Sequence, residues 1–291
     1  MPPLRAIVAP GKVLLAGEYA VLDGGSALVL AVHRGVRCTV WPVEGGARVL
    51  ETPGDDRFAA AGLEAVAAPP ARYAFADEDP TGLPGKPGFG GSAAATVAAV
   101  LAGGGRGPEA FEVHRRVQGG GSGADVAACL AGGLVRFRAG ATASLPAGRA
   151  VPVVAWSGTP AATGPRVAAY RAWTGDRTAF LDGMEAVVRA FLADPAAAVR
   201  EARALLAAMT SDAGIDWETP ALARIAALAE AVGGAAKPSG AGGGDCAVAF
   251  LPDPAARARF EAACASAGFP VIPVRPAPAA GPVPLVPGGP P

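Results

Sequence analysis

Residues 86–95 read Lys-Pro-Gly-Phe-Gly-Gly-Ser-Ala-Ala-Ala, a glycine-rich turn that runs directly into an alanine-rich segment. Glycine lets a backbone approach a ligand closely, and no β-branched residue interrupts the helix-forming run before Thr96. The unpaired N–H groups of a helix start, with the peptide dipoles behind them, attract anions. The stretch therefore predicts a phosphate-binding loop leading into a helix over 92–102. A flexible linker before an ordinary helix is the competing interpretation.

The better-known phosphate and nucleophile motifs do not account for this loop. Lys86 is not followed by Ser or Thr, which excludes a Walker A motif. A dinucleotide-binding fingerprint needs a strand immediately before the glycines, but residues 77–85 are polar and broken by glycine and proline. Ala94 stands where the hydrolase elbow G-x-S-x-G needs its second glycine. The chain has two histidines, His33 and His114, so we expect neither a histidine-based metal site nor a catalytic triad.

Three further segments of the chain are also rich in glycine. They read APGKVLLAGEYAV over 9–21, QGGGSGADVAA over 118–128 and KPSGAGGGD over 237–245. Asp125, in the second of them, is the single carboxylate of a predicted apolar helix over 124–131. A capping role in the first helical turn, which typically contributes about 0.5–2 kcal/mol, is the simpler interpretation. The concentration of similar loops favours a reacting carboxylate instead.

Composition narrows the class of protein. Twenty-five basic and 25 acidic residues give a formal net charge of zero, so the basic surface expected of a nucleic-acid-binding protein is missing. With 51% hydrophobic and 17% charged residues, the chain has enough apolar material for a sizeable core. No apolar run approaches the roughly 20 residues that span a bilayer, and the start does not resemble a signal peptide. We therefore expect a cytoplasmic chain that binds neither nucleic acid nor membranes, with buried, reduced thiols at Cys38, Cys129, Cys246 and Cys264.

Patterning predicts an α+β chain. The predicted strands are 12–16, 27–31, 36–41, 134–138, 151–156, 246–251 and 270–275. The predicted helices are 58–68, 92–102, 124–131, 178–193, 196–209, 220–232 and 254–267. A loose segment over 139–149 suggests a domain boundary, and the proline-rich end over 276–291 predicts a mobile extension.

Taken together, the glycine-rich segments resemble the motifs of the GHMP kinase family, which includes galactokinase and the homoserine, mevalonate and phosphomevalonate kinases. Residues 10–21 resemble the first motif, 88–94 the phosphate loop and 237–245 the third motif, in the family's order. Within the family the likeness is strongest to the phosphomevalonate kinases, in residues 17–22, 119–127, 156–163 and 237–246.

The resemblance implies a two-domain fold. An N-terminal ATP-binding domain similar to domain 2 of ribosomal protein S5 would cover 1–148, and a ferredoxin-like C-terminal domain would cover 149–275. Residues 276–291 would be the flexible tail. ATP and substrate would bind in the cleft between the two domains.

The resemblance also implies a reaction, in which ATP phosphorylates 5-phosphomevalonate to 5-diphosphomevalonate in the mevalonate route to isoprenoids. Asp125 and Lys12 match the catalytic pair, and Ser92 matches the serine that binds Mg²⁺. The implied contacts to ATP are Lys86, Pro87, Gly88, Phe89, Gly90, Gly91, Ser92 and Ala93. The implied contacts to the substrate are Lys12, Glu18, Tyr19, Ser122, Ser239, Gly240, Ala241, Gly242 and Asp245.

Three positions depart from the family pattern. Gly91 stands in place of the loop's first serine and Phe89 in place of its leucine. His114 stands where mevalonate kinases have a metal-binding glutamate. The resemblance therefore leaves Ser92 as the protein ligand of Mg²⁺, with the remaining ligands supplied by the nucleotide and water.

Two alternatives remain open from the sequence. A related kinase or phosphate-elimination enzyme, such as a mevalonate kinase, would use the same motifs on another small acceptor. A member without turnover would bind nucleotide or metabolite as a sensor. The sequence is also compatible with either a monomer or a homodimer.

Overall fold

A computed structural model describes residues 1–285, which form two β-sheets flanked by helices. The strands are β1 (Arg5–Ala16), β2 (Ala27–Trp41), β3 (Val49–Glu51), β4 (Arg72–Glu78), β5 (Leu134–Arg138), β6 (Ala141–Leu145), β7 (Val153–Trp156), β8 (Ala235–Pro238), β9 (Cys246–Phe250), β10 (Val271–Ile272) and β11 (Gly281–Val283). The helices are α1 (Arg57–Ala65), α2 (Gly91–Ala102), α3 (Glu109–Gln118), α4 (Ala124–Ala131), α5 (Thr163–Ala172), α6 (Arg177–Ala190), α7 (Pro195–Asp212), α8 (Pro220–Glu230) and α9 (Pro254–Ser266). A short 3-10 helix covers Ala20–Asp23. The predicted α+β class is confirmed.

The first sheet is built around two long antiparallel strands. Its order is β11-β1-β2-β4-β3, and β5 pairs with both β2 and β6. The sequence predicted two separate strands over 27–31 and 36–41, and this prediction is wrong, because β2 continues through Arg34 and Gly35. A Cβ on Gly35 would lie 2.0 Å from the carbonyl oxygen of Ala9, and one on Gly11 would lie 2.0 Å from that of Arg34. The glycines here permit close contact between β1 and β2, so that β2 continues unbroken.

Small side chains let helices approach the first sheet closely. Helix α2 buries alanines and valines, including Ala93, Ala94 and Val97, against α1 and the first sheet. Helix α4 packs beside it and buries Val126 and Cys129 in the same core. Both helices therefore begin at one end of the sheet, with their first turns close to β1.

The second sheet has the order β10-β7-β9-β8. Successive residues of β7 face opposite sides, as a strand requires. Val154 and Trp156 belong to a core that also contains side chains of α6, α7, β1 and β2. Val153 and Ala155 pack with α8 and α9 on the other side. One continuous apolar core therefore joins the two sheets.

Local sequence explains where the later helices begin. The side chains of Asp194, Thr219 and Asp253 each accept a hydrogen bond from a backbone N–H in the first turn of α7, α8 or α9. Each of these helices also has proline in its first turn, where the missing N–H costs nothing. Such caps typically contribute about 0.5–2 kcal/mol each.

Several elements were not predicted from the sequence. These are strands β3, β4, β6, β8 and β11 and helices α3 and α5. The predicted domain boundary lies between residues 148 and 149. Strands β1–β6, before it, belong to the first sheet, and strands β7–β10, after it, belong to the second sheet, whereas β11 returns to the first sheet.

The prediction of a mobile extension from Pro276 onward is wrong for the part that the structure describes. Pro276 forms a β-bridge with Val32, and β11 pairs with residues 6–8 of β1. The N–H of Ala280 donates to the carbonyl oxygen of Cys129 at the end of α4. Alanine and glycine between the prolines supply N–H donors, and proline is tolerated at a sheet edge. Residues 286–291 lie outside the described residues.

Two further observations concern the cysteine side chains and the length and hydrophobicity of the helices. The four cysteines are buried and unbridged, as predicted. None of the helices within residues 1–285 is long and apolar enough to cross a membrane.

Candidate active site

The predicted phosphate loop leads into α2. Gly90 precedes the helix with φ 71°, and no side chain within the described residues caps this end. The N–H of Lys12 donates to the carbonyl oxygen of Phe89 at 2.8 Å, which joins β1 to the loop. The N–H groups of the first helical turn, around Ser92, have no acceptor within the helix and are available to an anion.

Lys12 and Asp125 meet beside this helix start. The Lys12 Nζ and Asp125 Oδ2 atoms are 3.6 Å apart, and the Lys12 side chain is 11% exposed. Asp125 stands in the first turn of α4. A Cβ on Gly90 would lie 2.9 Å from Lys12 Cε, so the lysine stem packs directly against the loop. The structure therefore brings together the cation, the carboxylate and the loop that the sequence placed far apart.

His114 lies next to Ser92 in the same site. Its Nε2 is 3.2 Å from Ser92 Oγ, and its ring packs against that of Phe58 with centroids 5.4 Å apart. Burial lowers the pKa of His114, and Lys12 lowers it further, while Asp125 acts in the opposite direction. Helix α3, which carries His114, was not predicted, and sequence reasoning gave this histidine no role.

Asp245 brings the third glycine-rich segment against the phosphate loop. A Cβ on Gly88 would lie 2.5 Å from Asp245 Oδ2. Its Oδ1 accepts a hydrogen bond from the N–H of Ala161 at 3.0 Å. Burial raises the pKa of Asp245. The hydrogen bond from the N–H of Ala161 and the positive charges of Lys12 and Arg166 act in the opposite direction and do not cancel the effect of burial.

Three of the residues predicted to contact substrate make internal contacts in the structure. Glu18 and Lys237 form a fully buried ion pair, in which burial lowers the pKa of Lys237. The hydroxyl of Tyr19 donates to the carbonyl oxygen of Ala241 at 2.7 Å. Ser239 Oγ accepts from the N–H of Leu14 at 3.0 Å and lies 3.1 Å from its carbonyl oxygen. These side chains fasten the third motif to β1, and a contact of Glu18, Tyr19 or Ser239 with substrate stays a prediction.

The other predicted residues lie around this centre. Ser122 Oγ accepts from the N–H of Ala124 and lines a cavity of about 290 Å³ with His114. Lys86 is exposed, and its Nζ would lie 4.0 Å from a Cβ on Gly54 in the loop before α1. In the third motif, Gly242 packs against Trp217. Gly240 and Ala241, which follow Ser239, have no charged side chain with which to bind an anion.

Helix α5 brings two arginines over the glycine-rich segments. A Cβ on Gly243 would lie 1.7 Å from Arg166 Nη2, so the guanidinium occupies the space beside that glycine. Arg166 donates to the carbonyl oxygens of Asp216 and Ala162. A Cβ on Gly120 would lie 3.1 Å from Arg171 Nη2. Sequence reasoning missed both arginines, because no local pattern links α5 to loops more than 40 residues away.

The arrangement is suited to the transfer of an anionic group. Amides at a helix start can hold phosphate oxygens, a lysine beside them can neutralise developing charge, and a carboxylate can fix the lysine. Phosphoryl transfer depends mainly on such positioning and charge neutralisation.

Comparison with known proteins gives three similarities. A family model described as GHMP kinases C terminal matches residues 187–270. The chain is 30% identical to the phosphomevalonate kinase of Streptomyces sp. (strain CL190), over 87% of this chain and 92% of that protein. Among solved structures, it is similar to a protein from Listeria innocua with a TM-score of 0.82 and 25% identity, over 96% of this chain and 99% of that one. It is also similar to the phosphomevalonate kinase of Streptococcus pneumoniae, with a TM-score of 0.75 and 18% identity, over 95% of this chain and 100% of that one.

Proposed function

This chain belongs to the GHMP kinase family, and on that premise we propose that it transfers the γ-phosphoryl group of ATP to the phosphate group of 5-phosphomevalonate. The products would be ADP and 5-diphosphomevalonate. The observation that carries the proposal is the Lys12–Asp125 pair, 3.6 Å apart and packed against the loop that begins α2. The 30% identity to a phosphomevalonate kinase over most of both chains supports the choice of acceptor.

The chemistry follows from the charges in the site. The amides around Ser92 would hold the triphosphate of ATP. An oxygen of the acceptor phosphate forms a bond to the γ-phosphorus, and the bond from that phosphorus to the β–γ bridging oxygen breaks. A phosphate monoester is already largely ionised near pH 7, so no general base has to remove a proton. Asp125 therefore orients Lys12 and the acceptor, while Lys12 neutralises the charge that develops on the transferring group.

The residues at the start of α2 fit a divalent cation such as Mg²⁺. Ser92 Oγ provides a hydroxyl oxygen beside the place proposed for the phosphates, and oxygen ligands suit this ion. A cation bound there would neutralise phosphate charge. The protein's part is to hold Ser92 in the first turn of α2, where the helix fixes its direction.

We further propose that Arg166 and Arg171 receive the acceptor's anionic ends. Phosphomevalonate carries a carboxylate and a phosphate, so its site needs cations besides Lys12. The predicted contacts Glu18, Tyr19 and Ser239 are engaged internally. The two arginines lie over Gly243 and Gly120, and no acidic side chain within residues 1–285 forms an ion pair with Arg171.

The test is ADP release with Mg-ATP and each of four acceptors: phosphomevalonate, mevalonate, homoserine and galactose. We expect turnover with phosphomevalonate, and a loss of about 10²–10³-fold in kcat when Asp125→Asn removes the charge that positions Lys12. Asp182→Asn is the matched control, because Asp182 is exposed on α6. Turnover of mevalonate but not of its phosphate would reject the proposed acceptor. Binding of ATP and phosphomevalonate without ADP release would reject catalysis in favour of a sensor.

A further inference from the structure

We propose that Asp23 is a positioning residue that sets the affinity for the acceptor, because it holds α5 and its two arginines over the glycine-rich segments. The inference rests on the proposed function, since it takes Arg166 and Arg171 as the cations that receive the acceptor. Asp23 ends the short 3-10 helix Ala20–Asp23, which overlaps the end of the first glycine-rich segment. It therefore joins that segment to a helix more than 130 residues further along the chain.

Helix α5 lies on the surface and has little packing of its own. Of its ten residues, Tyr170 is the buried one. The Tyr170 ring enters the main apolar core beside that of Tyr19, with ring centroids 5.2 Å apart. A helix of this length is barely stable in water without tertiary contacts. The position of α5 therefore depends on Tyr170 and on the few polar contacts at its ends.

One oxygen of Asp23 accepts two hydrogen bonds from this region. Tyr170 Oη donates to Asp23 Oδ2 at 2.8 Å, and Arg177 Nη1 donates to the same atom at 2.7 Å. Burial raises the pKa of Tyr170 and Asp23 raises it further, so the hydroxyl keeps the proton that it donates. The side chains of Asp23 and Arg177 are about one-third exposed. Hydrogen bonds to a charged group are stronger than those between neutral groups.

Arg177 extends this contact to the backbone at the end of α5. Its Nη2 lies within hydrogen-bond distance of three carbonyl oxygens, those of Tyr170, Arg171 and Trp173. The last carbonyl groups of a helix have no partner within the helix, and a cation beside them is favoured. The guanidinium also lies over the rings of Tyr170 and Trp173, 4.8 and 5.6 Å from their centroids. Asp23 thus fixes the group that caps α5.

Both acceptor-binding arginines belong to this helix. Arg171 follows Tyr170 directly, and Arg166 lies four residues before Tyr170, about one helical turn away. A displacement of α5 therefore moves both guanidinium groups away from the glycine-rich segments. Lys12 on β1 and Asp125 on α4 belong to the first sheet and its helices, which do not include α5. Loosening α5 should weaken binding of the acceptor and leave ATP binding and the transfer step nearly unchanged.

The first experiment measures kcat and the KM of each substrate in Asp23→Ala, which removes both bonds to Asp23 Oδ2. We expect the KM of the acceptor to rise about tenfold or more, as for other lost hydrogen bonds to charged groups. The KM of ATP and kcat should stay within about twofold of the parent. Asp23→Asn keeps an oxygen that can accept from Tyr170, so its effect should be smaller. An unchanged KM of the acceptor, or equal rises for both substrates, would overturn the proposal.

Glu261→Ala is the matched control for this experiment. Glu261 pairs with Arg257 on α9 at 2.7 Å, the same distance as between Asp23 and Arg177. Its loss removes an arginine–carboxylate pair without touching α5. We therefore expect parental values of KM for both substrates. An equal rise in the acceptor's KM in Glu261→Ala and Asp23→Ala would contradict a role specific to Asp23.

The second experiment asks whether Asp23 acts through the two arginines. When Arg166→Met and Arg171→Met are already present, adding Asp23→Ala should raise the acceptor's KM by less than about twofold, because no cation is left on α5 to position. A further tenfold rise in that background would overturn the proposal. The KM is measured with whichever of the four acceptors the parent turns over. Turnover of mevalonate alone would reject the proposed acceptor, while the same ratios would still decide the role of Asp23.

The third experiment needs no substrate. Trypsin cleaves after Arg166 and Arg171 when α5 detaches and opens, so both cuts should be faster in Asp23→Ala than in the parent or Glu261→Ala. Circular dichroism checks that the variants fold. Faster cleavage without turnover of any acceptor by the parent would overturn the proposed function and support the anchoring of α5. Equal rates of cleavage in Asp23→Ala and the parent would overturn the anchoring, whatever the acceptor.

Discussion

Lysine is scarce in this chain and is used selectively. The sequence holds three lysines, Lys12, Lys86 and Lys237, and otherwise uses arginine for positive charge. Each of the three lies in one of the glycine-rich segments. Lysine carries a compact ammonium on a flexible stem, whereas the arginine head is planar and wider. Lys12 has little room for the wider group, because its stem packs against Gly90 and its Nζ faces Asp125.

This difference predicts that Lys12→Arg fails to preserve activity although it preserves charge. We expect both Lys12→Arg and Lys12→Met to lower kcat by about 10²–10³-fold, because each loses the positioned ammonium. The measurement is ADP release at saturating ATP and acceptor, with circular dichroism to check that the variants fold. Near-parental activity of Lys12→Arg would show that charge alone suffices.

Asp245 gives the stability of the protein a definite pH dependence. Burial raises its pKa above the ordinary 3.8, so the folded chain binds this proton more tightly than the unfolded chain does. The charged carboxylate therefore lowers the free energy of unfolding as the pH rises from about 3.8 through the raised pKa.

Asp245→Asn removes this titration and keeps an oxygen that can accept from the N–H of Ala161. The free energy of unfolding of the variant minus that of the parent should therefore increase with pH across that window, then level off. Urea denaturation at a series of pH values measures it, with Asp182→Asn as an exposed control. A difference that does not change with pH would contradict the assignment.

At the scale of elements, buried polar contacts fasten the third motif to the first. Lys237 on β8 pairs with Glu18, which follows β1. Ser239 bonds to the backbone of Leu14, and Tyr19 bonds to that of Ala241. The two sheets are thus joined beside the site by these contacts as well as by the shared apolar core. Residues that the family resemblance assigns to substrate contact therefore also fasten the two sheets to each other.

The buried Glu18–Lys237 ion pair predicts that removing one partner destabilises the protein more than removing both. Lys237→Met should lower the free energy of unfolding by about 3–5 kcal/mol, because it leaves the carboxylate of Glu18 buried without a partner. Adding Glu18→Gln should recover much of that loss, since the buried charge is then gone. Urea denaturation of both variants measures the difference. A double variant no more stable than the single one would contradict this account.

At the scale of the whole molecule, residues 276–283 form a strap that returns from the second sheet to the first. The strap begins at Pro276, which forms a β-bridge with Val32, and ends with strand β11. Between them, the backbone N–H of Ala280 donates a hydrogen bond to the carbonyl oxygen of Cys129. It therefore touches both β1, which carries Lys12, and α4, which carries Asp125. We infer that the strap helps to fix the positions of Lys12 and Asp125 relative to each other.

Two adjacent glycine variants test the strap. Gly132 has φ 68° and ψ 173°, a conformation that essentially only glycine adopts, and Gly133 has φ 60°, so alanine is strained at both sites and more so at Gly132. A Cβ on Gly132 would lie 2.2 Å from the backbone nitrogen of Ala279, whereas one on Gly133 would meet nothing within 4 Å. Gly132→Ala should displace the strap, expose it to proteolysis and lower kcat more than Gly133→Ala does. Equal effects of the two variants would show that the strap does not position the site.

The sequence alone was sufficient for the features that depend on nearby residues. The glycine-rich loop before α2, the helices over 91–102 and 124–131 and the capped later helices follow from glycine, alanine, Asp and Pro at short spacing. The family was also recognisable, because its motifs are local runs such as residues 88–94. Such features need only the conformational preferences of a few consecutive residues.

Tertiary structure alone decided which side chains meet. The 3.6 Å contact between Lys12 and Asp125 joins residues more than 100 positions apart. The same holds for Asp245 against Gly88, and for the strap that reads from sequence as an extension. Glu18, a charged residue in a motif, lies in the core because a lysine on another strand neutralises it there. Burial and pairing depend on the packing of the whole chain, and no local pattern carries that information.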